Sequence, residues 1–168
     1  MKLEKTRFGT LEFPDDQLIE FPQGIIGFPN AKRFVILEHG EKTPLRWIQA
    51  CEVPELALII IDPLPLVPDY PVERILAETE DLGLQKEEDV AVVAVVTVPP
   101  QPRTPTVNLL APLAMGVTSR RGKQVVLHDS PFHTRHPLVF GDPTGETPPA
   151  QGQPADALAP ECQRTQPK

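Results

Sequence analysis

Proline occurs 22 times in these 168 residues, and no other feature limits the fold more. Inside a helix, proline removes a backbone hydrogen bond and clashes with the preceding turn, at a cost of about 3 kcal/mol or more, so long helices are disfavoured. Sixteen of the prolines precede Phe140 and six follow it. Most of the sixteen lie between short apolar runs, where a missing N–H costs no ladder bond. Those runs are Leu11–Phe13, Gln17–Phe21, Phe34–Leu37, Leu56–Ile61, Val90–Val98 and Gln124–Leu127. They are β-branched or alternate apolar with polar residues, which predicts strands. Turn formers separate them at Phe8-Gly9, Pro22-Gln23-Gly24, His39-Gly40, Asp62-Pro63 and Arg121-Gly122. The expected class is mainly β, a small antiparallel barrel-like domain with one or two short helices.

One stretch departs from the β pattern. Pro71 suits the first turn of a helix, Val72, Ile75 and Leu76 share a face, and Gly83 is placed to end it. This spacing predicts a helix over about residues 71–82, with Glu73 and Glu80 along an outer stripe and Glu78 and Asp81 beside them. Between Asp69 and Asp89 eight acids face only Arg74 and Lys86, so this segment accounts for nearly all of the formal charge of −7. Two readings stay open: a merely solvated face, or an anionic surface for docking a basic protein. Residues 141–168 contain no aromatic residue and no apolar side chain larger than Leu158. Such a segment cannot bury enough apolar surface to offset its ordering entropy, so a folded domain over 1–140 and a disordered tail over 141–168 are expected.

Catalytic patterns are sparse. Ser119 and Ser130 are the only serines and neither lies in a G-x-S-x-G elbow. Gly24 and Gly27 lack the lysine and hydroxyl that a phosphate-cradling loop requires, so a turn is expected there. His128, His133 and His136, with Asp129, supply enough donors for a metal and support a rival reading, a small metal-dependent barrel enzyme. Their H-x4-H-x2-H spacing matches no standard ligand pattern, and exposed or packing histidines are the plainer expectation. No cofactor is expected. Cys51 and Cys162 show no C-x-x-C spacing, which fits reduced thiols in a cytoplasmic protein. The longest apolar run, Val90–Val98, is about half of the ~20 residues that span a bilayer, and no apolar secretory core follows Met1–Lys5. The net negative charge argues against nucleic acid as first partner. Arg120, Arg121 and Lys123, without interleaved aromatics, read as a hairpin tip; direct RNA binding through them is the third alternative.

Six segments, taken together, resemble one family. Phe21-Pro22-Gln23-Gly24-Ile25-Ile26-Gly27-Phe28 is similar to the F-x-x-G-I-x-G-F stretch of the flagellar assembly factor FliW. Trp47-Ile48-Gln49 stands where that family has a short segment ending in glutamine, and Asp69-Tyr70 matches its D-Y before the helix. Thr106-Val107-Asn108-Leu109-Leu110-Ala111-Pro112 resembles its T-x-N-L-x-A-P stretch. Gly122–Leu127 and Pro131–His136 resemble its closing strand and terminal segment. Phe132 stands where tyrosine is common in the family and Gly116 where asparagine is expected, and the tail beyond Phe140 is extra.

The resemblance implies a non-enzymatic, cytoplasmic β-barrel-like regulator that binds flagellin and, when free of it, binds and antagonises the RNA-binding translational repressor CsrA. It implies no membrane or direct nucleic-acid partner; a monomer is expected. The surface expected to face partners comprises Asp69, Glu73, Glu80 and Asp81. Asn108 either caps a turn or meets a partner.

Overall fold

The computed structural model describes residues 1–40, 43–83, 86–100 and 103–139. The tail expected over 141–168 therefore lies outside the described residues. Eleven strands are present among the described residues. Strands β1 (Lys2–Thr6) and β2 (Gly9–Glu12) form a separate hairpin. A second sheet contains β3 (Ile19–Glu20), β4 (Arg33–Glu38), β5 (Arg46–Ala50), β6 (Ala57–Ile61), β7 (Val90–Thr97), β8 (Thr106–Val107), β9 (Leu113–Gly116), β10 (Gly122–Gln124) and β11 (His136–Pro137). Its main path runs β10-β9-β7-β6-β5-β4-β3, with β8 pairing β7 and β11 pairing β8. All these pairings are antiparallel. The two ends of the path meet: the Glu20 N–H donates to the Arg120 carbonyl at 2.8 Å, and Glu20 bridges Arg121. The sheet thus nearly closes into the expected barrel-like form.

Strand β7 shows why an uninterrupted apolar run is needed. Val92, Ala94 and Val96 enter one buried cluster with Ile61, Tyr70, Ile75, Leu109 and Leu127. Val93, one residue out of phase, enters a second cluster with Phe21, Phe34, Ile48, Ile60 and Leu113. A strand apolar on both sides fits a sheet covered on both faces, as in these two clusters.

Three expectations are corrected in detail. The α-helix, α1, spans only Val72–Ala77. Thr79 is fully buried and its hydroxyl donates back to the Leu76 carbonyl at 2.8 Å, tying off the turn. A 3-10 turn, Glu80–Leu82, then ends at Gly83 with φ +72°. The Glu73–Glu80 pair therefore does not form one helical stripe. The strand expected over Gln124–Leu127 is β10, which lies at Gly122–Gln124. Val125 and Leu127 still donate to the Pro112 and Leu110 carbonyls, but Pro112 has no N–H to return, so the ladder stops. Arg46–Ala50, absent from the apolar runs read as strands, is a strand in the middle of the sheet.

Candidate functional site

Of the family-like motifs only Asp69-Tyr70 lies in the acidic segment; the others lie outside it. Asp69, Glu73 and Glu80 are exposed, and none forms an ion pair among the described residues. Asp81 is engaged: Lys123 donates to its carboxylate at 3.1 Å and to the Glu78 carbonyl at 2.7 Å. That contact fastens the 3-10 turn to β10. It also removes Lys123 from the basic hairpin tip, where Arg120, in the left-handed region at φ +53°, and Arg121 remain exposed.

The segment is anchored from below by Tyr70 and Ile75, both buried. The Tyr70 hydroxyl donates to the Leu109 carbonyl, and its ring meets Phe132 at a centroid distance of 5.0 Å. Burial pushes the Tyr70 phenol above its ordinary range, so it acts as a neutral donor. Phe132 is half-buried against this core, so a hydroxyl is dispensable for its packing. Asn108 is half-buried and its side-chain oxygen accepts from the Ala111 N–H at 3.0 Å, a turn-capping arrangement.

Beside the acids opens a cleft of about 730 Å³, lined by Arg46, Asp62, Leu64, the Pro68–Arg74 stretch and Val90–Val93. Asp62 caps the turn below it by accepting from the Leu64 N–H at 2.9 Å. The Arg74 guanidinium donates to the His128 carbonyl. No motif in the sequence marks Arg46, Asp62 or the β7 segment as part of a site. One signal is present: the Val90–Val98 run is longer than its partner run Leu56–Ile61, which Pro63, Pro65 and Pro68 follow at once.

The motif residues build a seam where the sheet closes. Phe21 is fully buried, and a side chain on Gly122 would place its Cβ 2.5 Å from the Phe21 Cζ, so only glycine fits. Gly24 has φ +72°, and a Cβ there would approach the Phe28 carbonyl oxygen to 2.7 Å. Gln124 accepts from the Ile26 N–H at 2.7 Å and donates to the Ala111 carbonyl at 2.9 Å, joining three motif segments with one carboxamide. Gln49, fully buried, donates to the carbonyls of Ala50, Pro54 and Leu56 and so holds the β5–β6 turn. Burial first, and then the Glu52 charge, push the adjacent Cys51 thiol up to about 11. That leaves it a poor nucleophile at neutral pH.

The rival metal site does not assemble. His128, His133 and His136 are all exposed. Among the described residues no group of three or more His, Cys, Asp or Glu side chains is placed to hold a metal ion. Nor is any helix among them long and apolar enough to cross a membrane.

Comparison with known proteins agrees with the motif geometry. The family model described as FliW protein matches residues 2–138. The flagellar assembly factor FliW of Natranaerobius thermophilus is 38% identical over 143 residues, covering 84% of this chain and 94% of the relative. That of Syntrophotalea carbinolica is 41% identical over 133 residues, covering 79% and 94%. A crystal structure of the flagellar assembly factor FliW superposes with a TM-score of 0.74 at 32% identity, covering 86% of this chain and all of the other. By sequence and by fold, the chain belongs to the FliW family of flagellar assembly factors.

Proposed function

We propose that this flagellar assembly factor works by binding alone, as a cytoplasmic monomer that switches between two protein partners. It holds flagellin while flagellin is abundant. Once flagellin has been exported, the freed factor captures the CsrA-type translational repressor and relieves repression of flagellin mRNA. The observation that carries this reading is a set of exposed carboxylates, Asp69, Glu73 and Glu80, without ion pairs among the described residues, the first two lining an open cleft on a FliW-family fold. A surface of this sign accelerates encounter with a basic RNA-binding protein more than it tightens the final complex. Competition of two ligands for one limited protein then makes the free fraction a readout of flagellin level by mass action. No bond is made or broken, and neither a membrane nor a nucleic acid takes part directly.

The test is to mix purified protein with flagellin, with the repressor and with both, and to resolve the complexes by size. Two stable complexes that exclude one another are expected. Binding to neither partner would remove the proposal.

A further inference from the structure

The cleft is a split in the sheet, and its wall is an open strand edge. Strand β7 pairs with β6 only from Ala94 to Val96, because the chain leaves the sheet after Ile61 at Asp62-Pro63. On its other edge β7 pairs with β9 from Val90 to Val93 and with β8 at Val96 and Thr97. Two hydrogen bonds fix which way the backbone groups point. The Asp89 carbonyl accepts from the Val117 N–H, and the Val95 carbonyl accepts from the Asn108 N–H, both on the β8–β9 side. Backbone groups alternate sides along a strand. The odd-numbered residues of β7 therefore serve β8 and β9, and the even-numbered ones face β6. Of these, Ala94 meets Ile61 and Val96 meets Ile59. Val92, with no β6 residue opposite it, turns its N–H and C=O into the cleft, as Val90 turns its C=O. The β6–β7 ladder ends at Ala94, and among the described residues no backbone bond from a turn or loop reaches them there.

An open edge of this kind is a template for another strand. We propose that Val90–Val92 takes an added β-strand from a partner protein, an extended segment that alternates basic with apolar residues. This rests on the reading of the acidic segment as a docking face and specifies how the partner is held: main-chain bonds to β7 supply affinity, and the rim selects the side chains. Charge decides the occupant. Asp62, Asp69 and Glu73 line the cleft, and exposed Asp89 leads into β7 after a Glu88 paired with Lys86 at 3.6 Å, against Arg46 and an Arg74 already bonded to the His128 carbonyl. The chain's own segment 141–168 is a poor fit, since it carries four acids against two bases and six prolines that cannot donate.

The probe is a synthetic eight-residue peptide of alternating lysine and valine, added to the full chain while amide exchange and chemical shifts are followed. It should bind in a salt-sensitive way and slow exchange of the Val92 N–H at least tenfold. Methylating alternate backbone nitrogens of the peptide, on the edge that pairs, should weaken binding at least tenfold, and replacing lysine by glutamate should abolish it. Equal binding of the methylated peptides, no binding at millimolar concentration, or perturbations away from β7 would overturn the proposal. So would a Val92 N–H already protected in the free protein, which would assign the edge to the chain's own tail or to a second copy. If the peptide fails while flagellin and the repressor still bind, strand addition falls and the partner-switch reading stands. If neither partner binds, the partner switch falls, and the peptide result alone decides the fate of the edge.

Discussion

The closing seam and the acidic segment lie on the same small domain but are built on opposite terms. At the seam, Phe21, Gly122, Gly24 and Gln124 leave one another no freedom: a ring fills the space over a glycine, a second glycine holds a positive φ, and one carboxamide joins three segments. Along the acidic segment, among the described residues, Asp81 is the one carboxylate tied across to a strand, through Lys123, while Asp69, Glu73 and Glu80 stand in solvent. The family-like motifs fall mainly on the first kind of place. The carboxylates of Asp69, Glu73 and Glu80 are not used by the fold itself.

On that contrast, substitutions at the seam should cost stability and substitutions on the acids should not. The largest effect is expected for Phe21→Ala, which empties a fully buried site and should cost about 3–5 kcal/mol. For a domain of this size each kcal/mol lowers Tm by roughly 2–4 °C, readable by calorimetry. Gly122→Ala drives a Cβ into the Phe21 ring and should cost about 1–3 kcal/mol by overpacking. A wild-type Tm would show that the seam has room to adjust.

Tyr70→Phe sharpens the comparison from the other side, because it removes the anchor beneath the acidic segment without touching its charge. It leaves the buried Leu109 carbonyl without its donor, at about 1–3 kcal/mol. A smaller and pH-dependent effect is expected at Glu52. Burial raises its carboxyl, but hydrogen bonds from the Arg33 side chain and from the backbone N–H groups of residues 32 and 33 outweigh this and hold it below the usual carboxylate range. A depressed carboxyl contributes stability above its unfolded pKa and loses it as pH falls through its folded one. Acid unfolding followed by circular dichroism should therefore show Glu52→Gln less stable than wild type at neutral pH, with the gap closing in acid.

The alternation of short apolar runs with proline and glycine made the β class legible, and the both-faces-apolar run made β7 legible as a buried strand. Two things escaped for physical reasons. The helix stops at Ala77 because Thr79 is buried and bonds back to Leu76, a tertiary effect that the i, i+3, i+4 pattern over 72–76 cannot register. The cleft exists because β6 turns away after Ile61 while β7 still runs on beside the gap, which depends on strand register rather than on any one residue. Of the five residues expected to face partners, Asp69, Glu73 and Glu80 are exposed, Asp81 is bound to Lys123, and Asn108 caps a turn. Composition could locate the charge but not say which carboxylates the fold itself would use.

The most direct test is the association rate of the Glu73→Lys, Glu80→Lys double variant with the repressor, measured by stopped flow across a range of salt. Both residues are exposed and form no ion pair among the described residues, so stability should change by no more than about 0.5 kcal/mol per site. A wild-type Tm is expected, with association slowed at low salt and a flatter salt dependence. An unchanged association rate at every salt concentration would contradict the docking role and leave the acidic segment as a solvated surface.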